Sequence, residues 1–246
     1  MRTIFLVSFL LLFLTNLSAQ QLKLKDLVDI QSNLDAVYDN NLQTIHNLSR
    51  NRTLIEPRQL KPQLRDMELI YFNPQMTEGR IRLIDGKVYA APLRYRIFDQ
   101  VLETEMEDIS FAIDESVLSA FSIGNDNFVV TQDPMGQTPG RTIHQVHFVN
   151  DYFVLLEKHE AEESYSERLN NIPSSHSQLV RRKSKLILVN EDTSTIINGN
   201  NDVFEALRLS KKGWAGKYVK ENKLKLKKGA DLAALLKYIS EKKGLQ

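Results

Sequence analysis

The feature that most constrains the fold is a period of two in the apolar residues, which starts at Glu68 and continues to His159. Runs that alternate apolar and polar residues, separated by short turn signals, are typical of antiparallel strands joined by hairpins. Strands are predicted at Glu68–Phe72, Arg80–Ile84, Lys87–Phe98, Val101–Met106, Val117–Ile123, Phe128–Thr131, Ile143–Val149, Tyr152–His159 and Lys185–Val189. This pattern predicts an antiparallel β-meander that could curl into a barrel-like shape.

The period changes to that of a helix at both ends of the chain. Residues 20–48 carry apolar side chains at helical spacing without Pro or Gly, which predicts an amphipathic helix that packs on a surface or self-associates. Behind the strands, helices are predicted at Asp202–Leu209, Tyr218–Asn222 and Asp231–Lys243. The expected fold class is therefore α+β and β-rich, with an N-terminal helix and with C-terminal helices that close the sheet.

The first nineteen residues have the pattern of a secretory signal peptide. Arg2 precedes the apolar run Ile4–Leu14, and small and polar residues lead to Ala19, where we expect cleavage. The run is about eleven residues, which is short of the roughly 20 that span a bilayer. The mature chain is therefore expected not to span a membrane.

The chain contains no cysteine, which is unusual for a domain of this size exported by a eukaryote. We therefore expect an extracytoplasmic protein in a bacterial periplasm or at a cell surface. Proline and polar residues beyond the N-terminal helix indicate a linker. Four segments are predicted: a signal peptide at 1–19, a helix at 20–48, a linker at 49–67, and the β-rich domain with its helices at 68–246.

Charge is balanced overall but unevenly placed. The chain has 32 basic and 31 acidic residues, yet Asp99–Glu163 holds fourteen acids and two bases, and Leu179–Gln246 holds sixteen bases and seven acids. Two halves of one domain that neutralise each other explain this pattern, and so does a polyanion partner of the basic C-terminal third. Nucleic acid is not expected, because no stacking aromatics alternate with the basic run Arg181–Lys183.

Turn signals suggest how the strands pair. Asp85-Gly86, Asp99-Gln100 and Asn150-Asp151 each read as a two-residue hairpin turn. With the second turn, Arg96 faces Glu103 and Arg94 faces Glu105 on one side of a hairpin. We predict solvated ion pairs there, and a calcium site is the alternative for the carboxylates.

Histidines supply the sharpest candidate for chemistry. The Asn150-Asp151 turn places His144 opposite Glu157, with His159 diagonal to them on the same face. Two imidazoles and one carboxylate match the ligand sets of non-haem iron and zinc. The alternative is an ordinary His–Glu pair beside an exposed histidine. A slip of one residue in the register would separate the three side chains.

Five short segments carry a resemblance to known sequences: Tyr71–Pro74, Gly79–Lys87 and Leu93–Arg96, together with Lys217–Lys225 ahead of Asp231-Leu232. These segments resemble a family of exported, uncharacterised proteins from Bacteroidetes-type bacteria. The resemblance covers Glu68 to Ile239, although Arg96 stands where the family's pattern leads us to expect Asn. It implies export and brings no known activity, so no functional residues carry over.

The absence of an assembled acid, base and nucleophile favours a non-catalytic protein that binds an unknown envelope ligand or protein partner through its sheet, without a cofactor. Two alternatives stay open. One is a metal-assisted hydrolase or oxygenase that uses His144, Glu157 and His159. The other is a polyanion binder that uses the basic C-terminal third.

Overall fold

The computed structural model describes residues 49–54, 67–106, 109–165, 178–190 and 193–244. The predicted signal peptide and N-terminal helix lie outside the described residues. The strands are β1 Ser49–Leu54, β2 Thr77–Leu83, β3 Val88–Arg96, β4 Val101–Met106, β5 Ile109–Ile113, β6 Leu118–Ile123, β7 Asp126–Gln132, β8 Arg141–Val149, β9 Phe153–Tyr165, β10 Gln178–Asn190 and β11 Thr193–Ile197. The helices are α1 Met67–Ile70, α2 Asn200–Ala206, α3 Trp214–Glu221 and α4 Gly229–Lys243.

The strands form one open antiparallel sheet in the order β1-β5-β4-β3-β2-β6-β7-β8-β9-β10-β11. Two meanders meet where β2 pairs with β6, and the helices α2–α4 follow the last strand. The predicted fold class, a β-rich α+β domain with an antiparallel meander and C-terminal helices, is confirmed, and the sheet does not close. Strand β1 lies in the segment that the sequence predicts to be a linker.

The predicted first strand at Glu68–Phe72 is wrong. Met67–Ile70 is a short helix, and only Tyr71 makes an isolated bridge to Arg96. Ile70 and Tyr71 are neighbours in the chain and both are buried. A short apolar run of this kind does not distinguish a strand from a turn of helix.

Two apolar cores share one face of the sheet. The first packs side chains of β2–β8 around the stacked rings of Phe121 and Phe128, whose centroids are 4.7 Å apart. The second packs Leu155 and Leu188 of β9 and β10 against the helices α2–α4. Register and alternation place both cores on this face, which we call the helix-side face. The opposite face carries a smaller core that includes Val129 and the alternate residues of β9 and β10.

The β2–β3 hairpin shows why the predicted registers differ from the observed ones. Leu83 donates its backbone N–H to the carbonyl of Lys87 at 2.8 Å, so three residues form the loop. Gly86 has a φ of +87° in this loop, which is a common hairpin form with glycine in the left-handed region. The predicted two-residue turn is therefore wrong by one residue, and Ile81 rather than Arg82 opposes Tyr89.

The β3–β4 hairpin is shifted by two residues from the prediction. Arg94 opposes Glu103 and Arg96 opposes Val101, and the loop includes Gln100 with a φ of +60°. A shift of two residues leaves every side chain on its predicted face, because side chains alternate with a period of two. The basic and acidic residues are therefore together on one face, as predicted, with different partners.

Candidate functional sites

The predicted metal site is not assembled. A bulge between Val146 and Phe148 interrupts the pairing of β8 with β9, so Gln145, and not His144, opposes Glu157. Glu157 and His159 consequently lie on the helix-side face, whereas His144 lies on the opposite face. Among the residues that the structure describes, no group of three His, Cys, Asp or Glu side chains is placed to hold a metal ion.

A polar chain crosses the helix-side face from β7 to β9. The amide Nε2 of Gln145 donates to Oδ1 of Asp126 at 2.7 Å, since a carboxylate oxygen accepts. The Oε1 of Gln145 is then left to accept from Nε2 of His159 at 2.8 Å, and this assigns the proton of that imidazole to Nε2. Burial lowers the pKa of His159 to about 4, so the ring is neutral at pH 7.

A second polar pair lies beside this chain. His147, the residue in the bulge, places its Nε2 2.6 Å from Oε2 of Glu157. Burial acts to raise the pKa of Glu157, but hydrogen bonds from His147 and Ser184 outweigh it and hold that pKa at about 2. The carboxylate is therefore ionised throughout the physiological range. The sequence reasoning missed His147 because nothing in the residue pattern signals the bulge.

The His147 ring also meets the first turn of α4. A Cβ built on Gly229 would lie 2.3 Å from Nε2 of His147, so only glycine allows this approach. Each polar group in the two arrangements is directed at another group of the same arrangement. Their common effect is to join β7, β8, β9 and α4 between the two cores.

His144 occupies an unusual environment on the opposite face. It is fully buried, and neither ring nitrogen has a hydrogen-bond partner in the described part of the chain. Burial, with Lys158 adding to the effect, lowers the pKa of His144 to about 4. The backbone of Thr142 acts to raise this pKa, but its contact with the ring does not reach hydrogen-bond geometry. Since a neutral imidazole always carries one N–H, His144 places an unsatisfied donor in the interior.

The arginine–glutamate group on the opposite face is buried rather than solvated. Glu103 is only 1% exposed and accepts from Arg94 at 2.6 Å, while Arg96 lies 2.8 Å from its other oxygen. The hydroxyl of Tyr71 donates to the same carboxylate at 3.2 Å. Arg96 also donates from its Nε to Oδ1 of Asp99 at 2.6 Å. Every oxygen of Glu103 is engaged, which leaves it no free lone pairs for a calcium ion.

Two lysines in or next to the basic run on β10 have acidic partners on β9. Lys183 pairs with Glu162, and Lys185 pairs with Glu160 at 2.9 Å across the β9–β10 ladder. The guanidinium of Arg182 lies 5.5 Å from the centroid of the Phe72 ring. Lys183 and Lys185 are thus neutralised by the neighbouring strand.

The C-terminal helices carry the unbalanced charge. We call residues 199–244, which contain α2–α4, the helical layer; it has twelve basic and five acidic residues, a net charge of +7. The rest of the described chain contains thirteen basic and fifteen acidic residues, a net charge of −2. Within the helical layer the structure forms one ion pair between described residues, Lys217 to Glu221 at 3.8 Å.

Six of these bases lie close together in one stretch. We call residues 217–228 the basic segment; all its lysines are exposed, namely Lys217, Lys220, Lys223, Lys225, Lys227 and Lys228. The intervening Val219 and Leu226 are buried in the second core, and Leu224 packs against it. The apolar residues therefore fix the backbone while the ammonium groups stand in water.

No protein-family model, curated protein or solved structure matches this chain. In the part of the chain that the structure describes, none of the helices has the length and apolar character needed to cross a membrane.

Proposed function

We propose that the protein is a non-catalytic extracytoplasmic binding protein, periplasmic or at the cell surface, that holds an anionic partner against its helical layer. The observation that carries this proposal is the net charge of +7 on residues 199–244, combined with a single ion pair among them. Exposed like charges repel one another and raise the free energy of the folded chain. An anionic partner would relieve that repulsion.

The backbone of the basic segment supports the same proposal. Lys223 ends α3 with a φ of +53°, where its N–H and that of Leu224 close the last turn. This conformation costs a side-chain-bearing residue about 1 kcal/mol relative to glycine. Glycine would avoid this cost but would carry no charge. A lysine here is expected where a residue contributes to binding at the expense of stability.

The sheet offers less support for a binding surface. Both exposed lysines of β10 already have acidic partners on β9, Lys183 with Glu162 and Lys185 with Glu160. We therefore assign binding to the helices and not to the sheet. The metal-enzyme alternative is not supported either, because the sheet separates His144 from Glu157 and His159.

Retention of the mature chain on heparin, which serves as a polyanion probe, tests the proposal. Elution of the unchanged protein should depend steeply on salt, because bound lysines release counterions. In the triple variant Lys220→Gln, Lys223→Gln, Lys225→Gln, the slope of log affinity against log salt should fall by about 2–3.

The matched control is Lys183→Gln with Lys185→Gln, which removes bases that have partners on β9. This control should change the slope by less than about 1. Elution of the unchanged protein at low salt, or equal effects of the two sets of substitutions, would overturn the assignment to the helical layer.

A further inference from the structure

Three aromatic residues, Trp214, Tyr218 and Tyr238, connect α3 to α4, and we call them the aromatic seam. They are a second feature, besides charge, that a partner of the helical layer would contact. The rings of Tyr218 and Tyr238 stack with centroids 3.8 Å apart, and Trp214 meets Tyr238 edge-on at 5.6 Å. All three are partly exposed, and Trp214 and Tyr218 also pack against the second core, so the seam lies at the outer edge of that core.

Each ring of the seam combines an apolar body with a polar edge, which is the hydroxyl in Tyr218 and Tyr238 and the indole N–H in Trp214. Tyrosine and tryptophan, with an apolar body and a polar edge, are the side chains that prefer the boundary between water and a lipid bilayer.

Lysines border this seam. Lys217 is three residues beyond Trp214 on α3, and Lys242 is four residues beyond Tyr238 on α4, so each is adjacent to its aromatic neighbour on the helix surface. Their charges therefore stand at the rim of the aromatic rings. Lysines beside interfacial aromatics are a common arrangement for contact with anionic headgroups.

The kind of basic residue in the helical layer indicates which class of anionic partner it suits. Eleven of the twelve bases in the helical layer are lysines, and Arg208 is the other. Arginine recognises individual carboxylates and phosphates with a fork of donors, whereas lysine is a mobile point charge. A surface of lysines is suited to a diffuse field of negative charge rather than to one defined anionic group.

We propose that the anionic partner is a lipid bilayer surface with anionic headgroups, against which the aromatic seam lies at the interface. This inference rests on the proposed function and deepens it. The protein would attach to the surface through lysines and aromatic edges without a membrane-spanning helix in its described part.

The chain supplies its own probe, because Trp214 is its single tryptophan. The mature protein should sediment with vesicles of phosphatidylcholine and phosphatidylglycerol, and not with phosphatidylcholine alone. On the first vesicles the emission of Trp214 should shift to the blue, and lipids brominated on their acyl chains should quench it. Lys242→Gln, which removes an exposed lysine beside Tyr238, should weaken this binding roughly fivefold, at about one lysine's contribution. Lys183→Gln with Lys185→Gln serves as the control and should leave it nearly unchanged.

The outcomes separate the two proposals. Salt-dependent retention on heparin without sedimentation on phosphatidylglycerol vesicles would overturn the bilayer assignment and leave the anionic-partner proposal standing. Sedimentation without a change in Trp214 emission would overturn the placement of the seam at the interface. Binding to neither probe would overturn both proposals, and a fluorescence shift with quenching and lysine dependence would support both.

Discussion

Replacement of His144 by leucine should stabilise the protein, although His144 is among its most completely buried residues. Leucine has nearly the same volume as histidine and needs no hydrogen bond. A buried donor without a partner costs about 1–3 kcal/mol, and here the imidazole N–H has none among the described residues. After allowance for imperfect packing of the new side chain, we expect His144→Leu to raise the free energy of unfolding by about 1–2 kcal/mol at pH 7.5.

The same substitution should change the response to acid. Burial lowers the pKa of His144 from its usual 6.5 to about 4. Between these values the unfolded chain takes up a proton that the folded chain does not, so stability falls as the pH falls from 6.5 to 4. The loss due to this group is about 2 kcal/mol at pH 5 and about 3 kcal/mol below pH 4. His144→Leu should remove that share of the acid sensitivity.

His159→Leu is the matched control. The pKa of His159 is also lowered to about 4 by burial, but its Nε2 donates to Gln145. His159→Leu should therefore reduce acid sensitivity as well, yet destabilise the protein by about 1–3 kcal/mol at pH 7.5 because Gln145 loses its donor. Urea unfolding of the mature chain at pH 7.5 and 5.0 measures both effects. A loss of stability at pH 7.5 in His144→Leu would show that the imidazole does have a partner and refute the reasoning.

Three further substitutions test the packing. Glu103→Ala should cost about 2–4 kcal/mol in urea unfolding, because it leaves the half-buried Arg94 without a carboxylate and the buried Arg96 with Asp99 alone; a loss below about 1 kcal/mol would mean a solvated pair. Gly229→Ala should lower the melting temperature even though alanine favours helices, because its Cβ displaces the His147 ring; an increase would contradict the contact. Gly86→Ala should cost about 1 kcal/mol through its φ of +87°, with the melting temperature as the measurement, and an unchanged value would exclude this loop.

Hydrophobic alternation predicted the faces of the sheet better than it predicted the pairs across it. The β3–β4 hairpin keeps Arg94 and Glu103 on one face, because a shift of two residues does not change the side to which a side chain points. The length of the loop depended on Gln100, which adopts the left-handed region although it is not glycine. A residue that takes this conformation without being Gly or Asn leaves no signal in the sequence.

The candidate metal site failed for a related reason. The bulge between Val146 and Phe148 adds one residue to β8, and the period of two then moves His144 to the other face. A bulge without glycine has little sequence signature. The residue that packs against this bulge, Gly229, is also far from it in the sequence. His147 is fixed by Glu157 and by Gly229, and the second of these is a packing partner that no local pattern identifies.

Contacts at both ends of α4 hold this helix against the sheet. α4 meets the sheet near its start, where Gly229 lies against the His147 ring, and near its end, where Asn150 donates to the hydroxyl of Ser240 at 2.9 Å. Between these contacts the buried face of α4, including Leu236, packs into the second core. The helix is therefore held along its length and at both ends, which fixes its rotation about its own axis. A fixed rotation of α4 keeps Lys237, Lys242 and Tyr238 on the outer side of the layer. Lysines presented by a rigid helix lose less conformational freedom on binding than lysines on a flexible tail, so the same number of charges binds an anionic surface more tightly.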